Sequence, residues 1–216
     1  MAMELVKVAE ILPDYVNFFL DFCRRPVQAV TEATPPNADL TAAVSGKLIG
    51  YAVLSTGLSY IIVLIGRSVG MADDGSAIVA MAERIEWQWL PAAALVCIFL
   101  AAVVIHVLLL VGALLARLIE GLSFKGGIKE TVNATLAFSV WCLPVFTLVI
   151  VITRVLARGE RLPPLALLLF VLPFVLAFWV YFGAAFMGAH RLPRAHITTV
   201  FAFAATVVVL VQKIFD

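Results

Sequence analysis

The sequence predicts an all-α membrane protein: a polytopic bundle of five transmembrane helices preceded by an N-terminal amphipathic helical region. Three observations lead there. Five long apolar stretches, Leu48–Gly66, Leu90–Ala116, Ala134–Ile152, Leu162–Met187 and Ile197–Ile214, occupy much of a 216-residue chain. Each approaches or exceeds the roughly 18–20 helical residues that cross a hydrocarbon core about 30 Å thick. The composition is 63% hydrophobic and only 13% charged, whereas soluble domains carry nearer about 25% charge. Finally, peptide groups inside a bilayer need internal partners, so stretches of this length read as helices rather than loops or open strands.

The organisation that follows is a segment over 1–46 and a five-span domain over 47–216. The first part is too short to bury a sizeable core by itself. Within it, Leu5, Val8, Leu12, Val16, Phe19 and Cys23 recur at three- and four-residue steps. Lys7, Glu10, Asp14, Asn17, Asp21, Arg24 and Gln28 recur on the opposite side. That is an amphipathic helical pattern. Pro13 and Pro26 each suit the first position of a renewed helix. The expectation is two or three short helices lying on the membrane surface, then a linker over Thr34–Ala38. A cytosolic docking helix for a partner is the rival reading. Glu4, Lys7 and Glu10 interrupt the start, so it does not read as a signal peptide.

Orientation follows from the basic residues. With five spans, the N-terminal side holds Lys7, Arg24, Arg25, Lys47, Arg117, Lys125, Lys129, Arg191 and Arg194. The other side holds Arg67, Arg84, Arg154, Arg158, Arg161 and Lys213. Nine against six predicts a cytoplasmic N-terminus and a C-terminus on the opposite side. The membrane would be the inner membrane of a bacterium or an early secretory membrane of a eukaryote.

Few residues suggest chemistry. Formal charge is +1, so no basic surface points to nucleic acid. Cys23, Cys97 and Cys142 are odd in number and widely spaced, which fits neither a disulfide framework nor a zinc site. Asp73, Asp74 and Gly75 read as a solvated turn, because a cation would need more oxygen ligands. Trp87 and Trp89 fall at a span boundary, where indole favours the headgroup zone. No phosphate-binding glycine loop, nucleophile elbow or facing pair of carboxylates is present. Neither an enzyme nor a bound cofactor is expected.

Within the spans, His106 is the ionisable residue that lies well inside one, and buried ionisable groups in lipid are costly. It could relay protons or ligate a cofactor. Equally, it could be a neutral imidazole bonded to a neighbouring helix, through Ser139 or a backbone carbonyl. Pro144 and Pro173 interrupt the third and fourth spans and free backbone carbonyls there. His106, Ser139 and Pro144 thus form a candidate intramembrane polar site. Small residues four apart, Ser55 with Ser59 and Ala184 with Gly188, form a candidate helix-packing face. His190, Arg191, Arg194 and His196 form a candidate loop for anionic lipid headgroups or pH sensing. Two histidines are too few for a zinc site.

Arg24, Arg25, Pro26 and Val27 close the N-terminal segment, and a glycine-rich second loop leads into a span with a proline. From Ser123, Phe124, Lys125, Gly126 and Gly127 through to Pro144, the chain resembles the Yip-domain family, the Ypt/Rab-interacting five-span membrane proteins. There too a glycine and a phenylalanine precede the third span, and a small polar residue and a proline lie within it. By layout the likeness runs from Asp21 to the C-terminus. It implies five spans and a cytoplasmic N-terminus. In eukaryotic members it further implies binding of prenylated Rab GTPases and shaping of secretory membranes. Those members carry an aspartate-leucine-tyrosine-glycine-proline motif near the first span, where this chain has Ser45, Gly46, Lys47, Leu48, Ile49, Gly50 and Tyr51. The likeness is therefore closer to the bacterial branch.

Three functions follow as expectations. The first is a non-enzymatic scaffold or accessory subunit of a membrane complex, partnered by another membrane protein or a second copy within the lipid bilayer. The second is a small transporter, channel or lipid-handling protein. The third is a Rab-type GTPase-binding factor for membrane traffic or shape.

Overall fold

The computed structural model describes residues 2–34, 44–69, 89–120, 127–157 and 164–191. The regular structure in this part of the chain is helical: α1 (Ala2–Arg24), α2 (Pro26–Ala33), α3 (Gly46–Ser68), α4 (Leu90–Glu120), α5 (Ile128–Ala157) and α6 (Pro164–His190). Among the described residues, three helical segments are long and apolar enough to cross a membrane. They are Gly46–Ser68 with 23 residues, Ile128–Leu156 with 29 and Leu172–His190 with 19. Pro91–Val107 in α4 is a shorter apolar helix. The fifth apolar stretch, Ile197–Ile214, lies outside the described residues, as do Asp73, Asp74, Gly75 and Trp87.

Lipid suits the outer surface of this bundle. Ile61, Leu64 and Ile65 on α3 are exposed, as are Leu100, Val104 and Val107 on α4 and Leu176, Trp179 and Val180 on α6. In water such contiguous apolar faces would drive association, whereas hydrocarbon chains solvate them. The protein is an integral membrane helical bundle with several membrane-crossing helices.

Helix α5 lies at the centre, in contact with α1, α3, α4 and α6. Every residue from Thr131 to Trp141 is buried. This explains why α5 starts at Ile128 although the apolar stretch begins only at Ala134. Thr131, Asn133 and Thr135 belong to the helix because neighbouring helices, not water, surround them. The other end of the fold repeats the lesson. Helix α6 continues beyond Met187 to His190, so that histidine is helical rather than part of a loop. Hydropathy marks where lipid-like residues stop, and a helix buried in protein continues past that point.

The N-terminal helices depart furthest from the sequence expectation. Proline at the first position of α2 is as predicted, whereas Pro13 lies inside an unbroken α1. The inward face of α1 is formed by Tyr15, Phe18 and Phe22, all buried. Leu12 and Val16, on the predicted apolar side, are exposed together with Leu20. The reason is aromatic. Phe18 meets Tyr51 of α3 at 5.3 Å between ring centroids, and Phe22 meets Tyr181 of α6 at 5.6 Å. Tyr181 in turn stacks on Trp141 of α5 at 4.5 Å. Large rings that bury this much area outweigh a simple count of apolar positions. One face of α1 is therefore built into the bundle, and a second apolar stripe points outward.

Helix α2 docks on the end of α6 with no room to spare. A Cβ on Gly188 would lie 2.5 Å from the Val27 carbonyl oxygen and 2.9 Å from Val30 Cβ. Only glycine permits this approach, which brings the Gly188 carbonyl within 3.2 Å of Thr31 Oγ1, whose one hydrogen it shares with the Val27 carbonyl at 2.8 Å. Nearby, the Tyr181 hydroxyl donates to the Cys23 carbonyl at 2.8 Å.

Candidate functional site

Two polar constellations lie inside the bundle, and elementary hydrogen-bond arithmetic gives each a direction. The first starts from Pro144. Proline has no N–H, so the Val140 carbonyl four residues earlier lacks its helical donor. Ser55 Oγ on α3 supplies one at 2.9 Å. That uses the single serine hydrogen, so Tyr15, 3.1 Å away, donates its own hydroxyl hydrogen to Ser55. Burial pushes the Tyr15 phenol above its ordinary pKa, against the weaker pull of the Ser55 hydrogen bond. The phenol thus stays neutral and able to donate. This chain joins α1, α3 and α5 and satisfies a carbonyl that membrane burial would otherwise leave costly.

The second constellation lies where α4, α5 and α6 meet. His106 Nδ1 is 2.8 Å from Thr131 Oγ1, and His190 Nε2 is 3.3 Å from the same oxygen. Thr131 also reaches back to the Gly127 carbonyl at 3.3 Å. His190 stacks on Phe186 one turn earlier, with centroids 5.8 Å apart, which fixes the ring plane. Glu130 folds back over Gly127, where a Cβ would meet its Oε2 at 2.6 Å. A carboxylate at the third helical position, turned toward the preceding residue, suits the positive end of a helix.

The predicted intramembrane trio is not one site. His106 bonds across helices, as the hydrogen-bonding reading expects, but to Thr131. Ser139 instead donates to the Leu136 carbonyl of its own helix at 2.7 Å. Pro144 is buried and acts through the Ser55 bond described above. In the small-residue set, Ser55 is buried, and half-buried Ser59 donates to the Ser55 carbonyl at 2.8 Å. Ala184 and Gly188 are buried as well. Gly188 is occupied by α2, so its small size serves packing within this chain.

His190 leaves the predicted headgroup loop and joins His106 through one hydroxyl. The sequence offers His106 no titratable partner because helix register, not spacing, brings the two together. Arg191 follows as an exposed residue with φ 53°, which ends α6 in the left-handed region. Arg194 and His196 lie outside the described residues. Thr131 escapes sequence reasoning entirely, since it sits before the apolar run and resembles loop sequence.

Beside α1, a cleft of about 710 Å³ is lined by Asp14, Asn17, Asp21, Glu32 and Lys47. Among the described residues, no group of three or more His, Cys, Asp or Glu is arranged to hold a metal ion. The three cysteines are free thiols. Comparison with protein-family models, curated proteins and solved structures gives no match to this chain.

Proposed function

We propose that this chain is a non-enzymatic scaffold or accessory subunit of a membrane complex, with five spans and a cytoplasmic N-terminus. The observation that supports it is the construction of α1. Its inner face is tied to the bundle by Tyr15, Phe18 and Phe22, while Leu12, Val16 and Leu20 form an exposed stripe. A helix held on one side and apolar on the other offers a rigid surface to a partner helix at the membrane. The small-residue face of α6 is taken by α2, which moves the proposed partner surface to α1.

The test is extraction of the native protein in a mild detergent and mass spectrometry of what stays bound. A stoichiometric membrane-protein partner, lost in Val16→Glu with Leu20→Glu, supports the proposal. Homogeneous particles of the chain with lipid alone overturn it.

A second reading, a small transporter or lipid-handling protein, is favoured by the polar contacts of His106, Thr131 and His190 inside a membrane bundle. It predicts a solute or lipid flux in proteoliposomes that His106→Ala reduces. The Yip-domain likeness is the family reading we carry forward, on layout and on Pro144 within its span. Its trafficking role predicts GTPase recruitment that deletion of residues 1–33 abolishes.

A further inference from the structure

We infer that His106, Thr131 and His190 form a proton-binding site in which one threonine hydroxyl links two imidazoles from different helices. The inference does not depend on the scaffold reading. Its basis is the inventory of hydrogens at Thr131 Oγ1. That oxygen has three polar neighbours, His106 Nδ1 at 2.8 Å, His190 Nε2 at 3.3 Å and the Gly127 carbonyl at 3.3 Å. A hydroxyl has one hydrogen and two acceptor lone pairs. It can therefore serve at most one ring lone pair, and at least one ring nitrogen facing it must carry a hydrogen. The carbonyl only accepts, so it offers the hydroxyl hydrogen a resting place when both rings donate.

This arrangement can move a proton without moving a heavy atom. With His190 as imidazolium, its Nε2–H bond breaks as an Oγ1–H bond forms. The original Oγ1–H bond breaks as an Nδ1–H bond forms on His106. His190 is left neutral with its Nδ1 hydrogen, the hydroxyl is restored, and His106 is the imidazolium. Atoms and charge balance, and the reverse transfer uses the same bonds.

Burial makes charge costly on both rings, the Glu130 carboxylate, adjacent to Thr131 on α5, offsets part of that cost, and the charge of one ring opposes charge on the other. Among the described residues, Lys129 on α5, Arg191 after α6 and Glu32 on α2 are charged and exposed. His190 is the last residue of α6, and His106 lies within α4. The hydroxyl thus connects rings carried by two helices through a third.

The test is a pH titration of the full-length chain, labelled with ¹⁵N-histidine and reconstituted in lipid nanodiscs. The chain has three histidines, so His106→Gln and His190→Gln assign the imidazole signals. The two rings are expected to titrate as a coupled pair. His190→Gln should then move the His106 midpoint by about one pH unit or more. Thr131→Val should weaken the coupling to its through-space part, and Thr131→Ser should retain it in full. A His106 midpoint unmoved by His190→Gln overturns the inference, as does coupling undiminished in Thr131→Val. Should Thr131→Val fail to fold, the His190→Gln titration decides alone.

Discussion

A proline in a buried helix deprives one carbonyl of its donor, and the rest of the sequence must supply another. Here the donor is Ser55, 85 residues away. Ser55→Ala would leave the Val140 carbonyl bare and strip Tyr15 of its acceptor. A buried polar group without a partner costs about 1–3 kcal/mol, so thermal unfolding in detergent should shift to clearly lower temperature. Tyr15→Phe removes only the outer donor and should cost less, about 0.5–1.5 kcal/mol. The sharper check is Ser55→Ala combined with Pro144→Ala. Restoring an N–H at position 144 gives the Val140 carbonyl a helical donor, so the double variant should be more stable than Ser55→Ala alone. Additive losses would mean that Ser55 does not stand in for the missing N–H. At the end of α6, Arg191 holds a left-handed φ of 53°, a conformation costing a non-glycine residue roughly 1–2 kcal/mol. Arg191→Gly should therefore unfold at a slightly higher temperature in the same assay.

Among the elements, α2 on α6 is the contact most sensitive to volume. Gly188→Leu drives a side chain into the Val27 backbone. Overpacking of this kind costs about 1–3 kcal/mol, and α2 should separate from α6 before the bundle unfolds. Limited proteolysis after Arg24 or Arg25 checks this: cleavage should accelerate in the variant while α3–α6 stay intact. The apolar cores of α3, α5 and α6 are plain in the sequence, because a long uncharged apolar run suits a membrane-crossing helix and little else. Ser55 and Gly188 also stand out there as packing residues, and Pro144 as the loss of a backbone donor. Their partners stay hidden. Val140 and Val27 carry no special chemistry in sequence and matter through register alone. The buried face of α1 stays hidden for a related reason. Periodicity weighs Leu12 and Phe18 alike, whereas aromatic partners on α3 and α6 select the phenylalanine side.

For the whole molecule, the N-terminal helices, the start of α5 and the end of α6 gather at one end of the bundle. Ser45 N–H donates to Asn133 Oδ1 at 2.9 Å, and Thr31 meets Gly188. With five spans, reporters fused at residue 1 and at residue 216 should read opposite sides of the membrane, residue 1 on the cytoplasmic side. Reporters on the same side would require an even number of crossings. That same gathering carries a consequence for synthesis. The bonds from Thr31 to Gly188 and from Cys23 to Tyr181 join residues 157 and 158 apart. Translation at about 5–20 residues per second would separate the emergence of each pair by about 8–30 s. Throughout that interval Phe22 and Val30 exist without their final neighbours. The first helices made are among the last to reach their places, so a nascent chain must wait, its aromatic face resting on lipid or in a chaperone's grip, until α6 has been delivered.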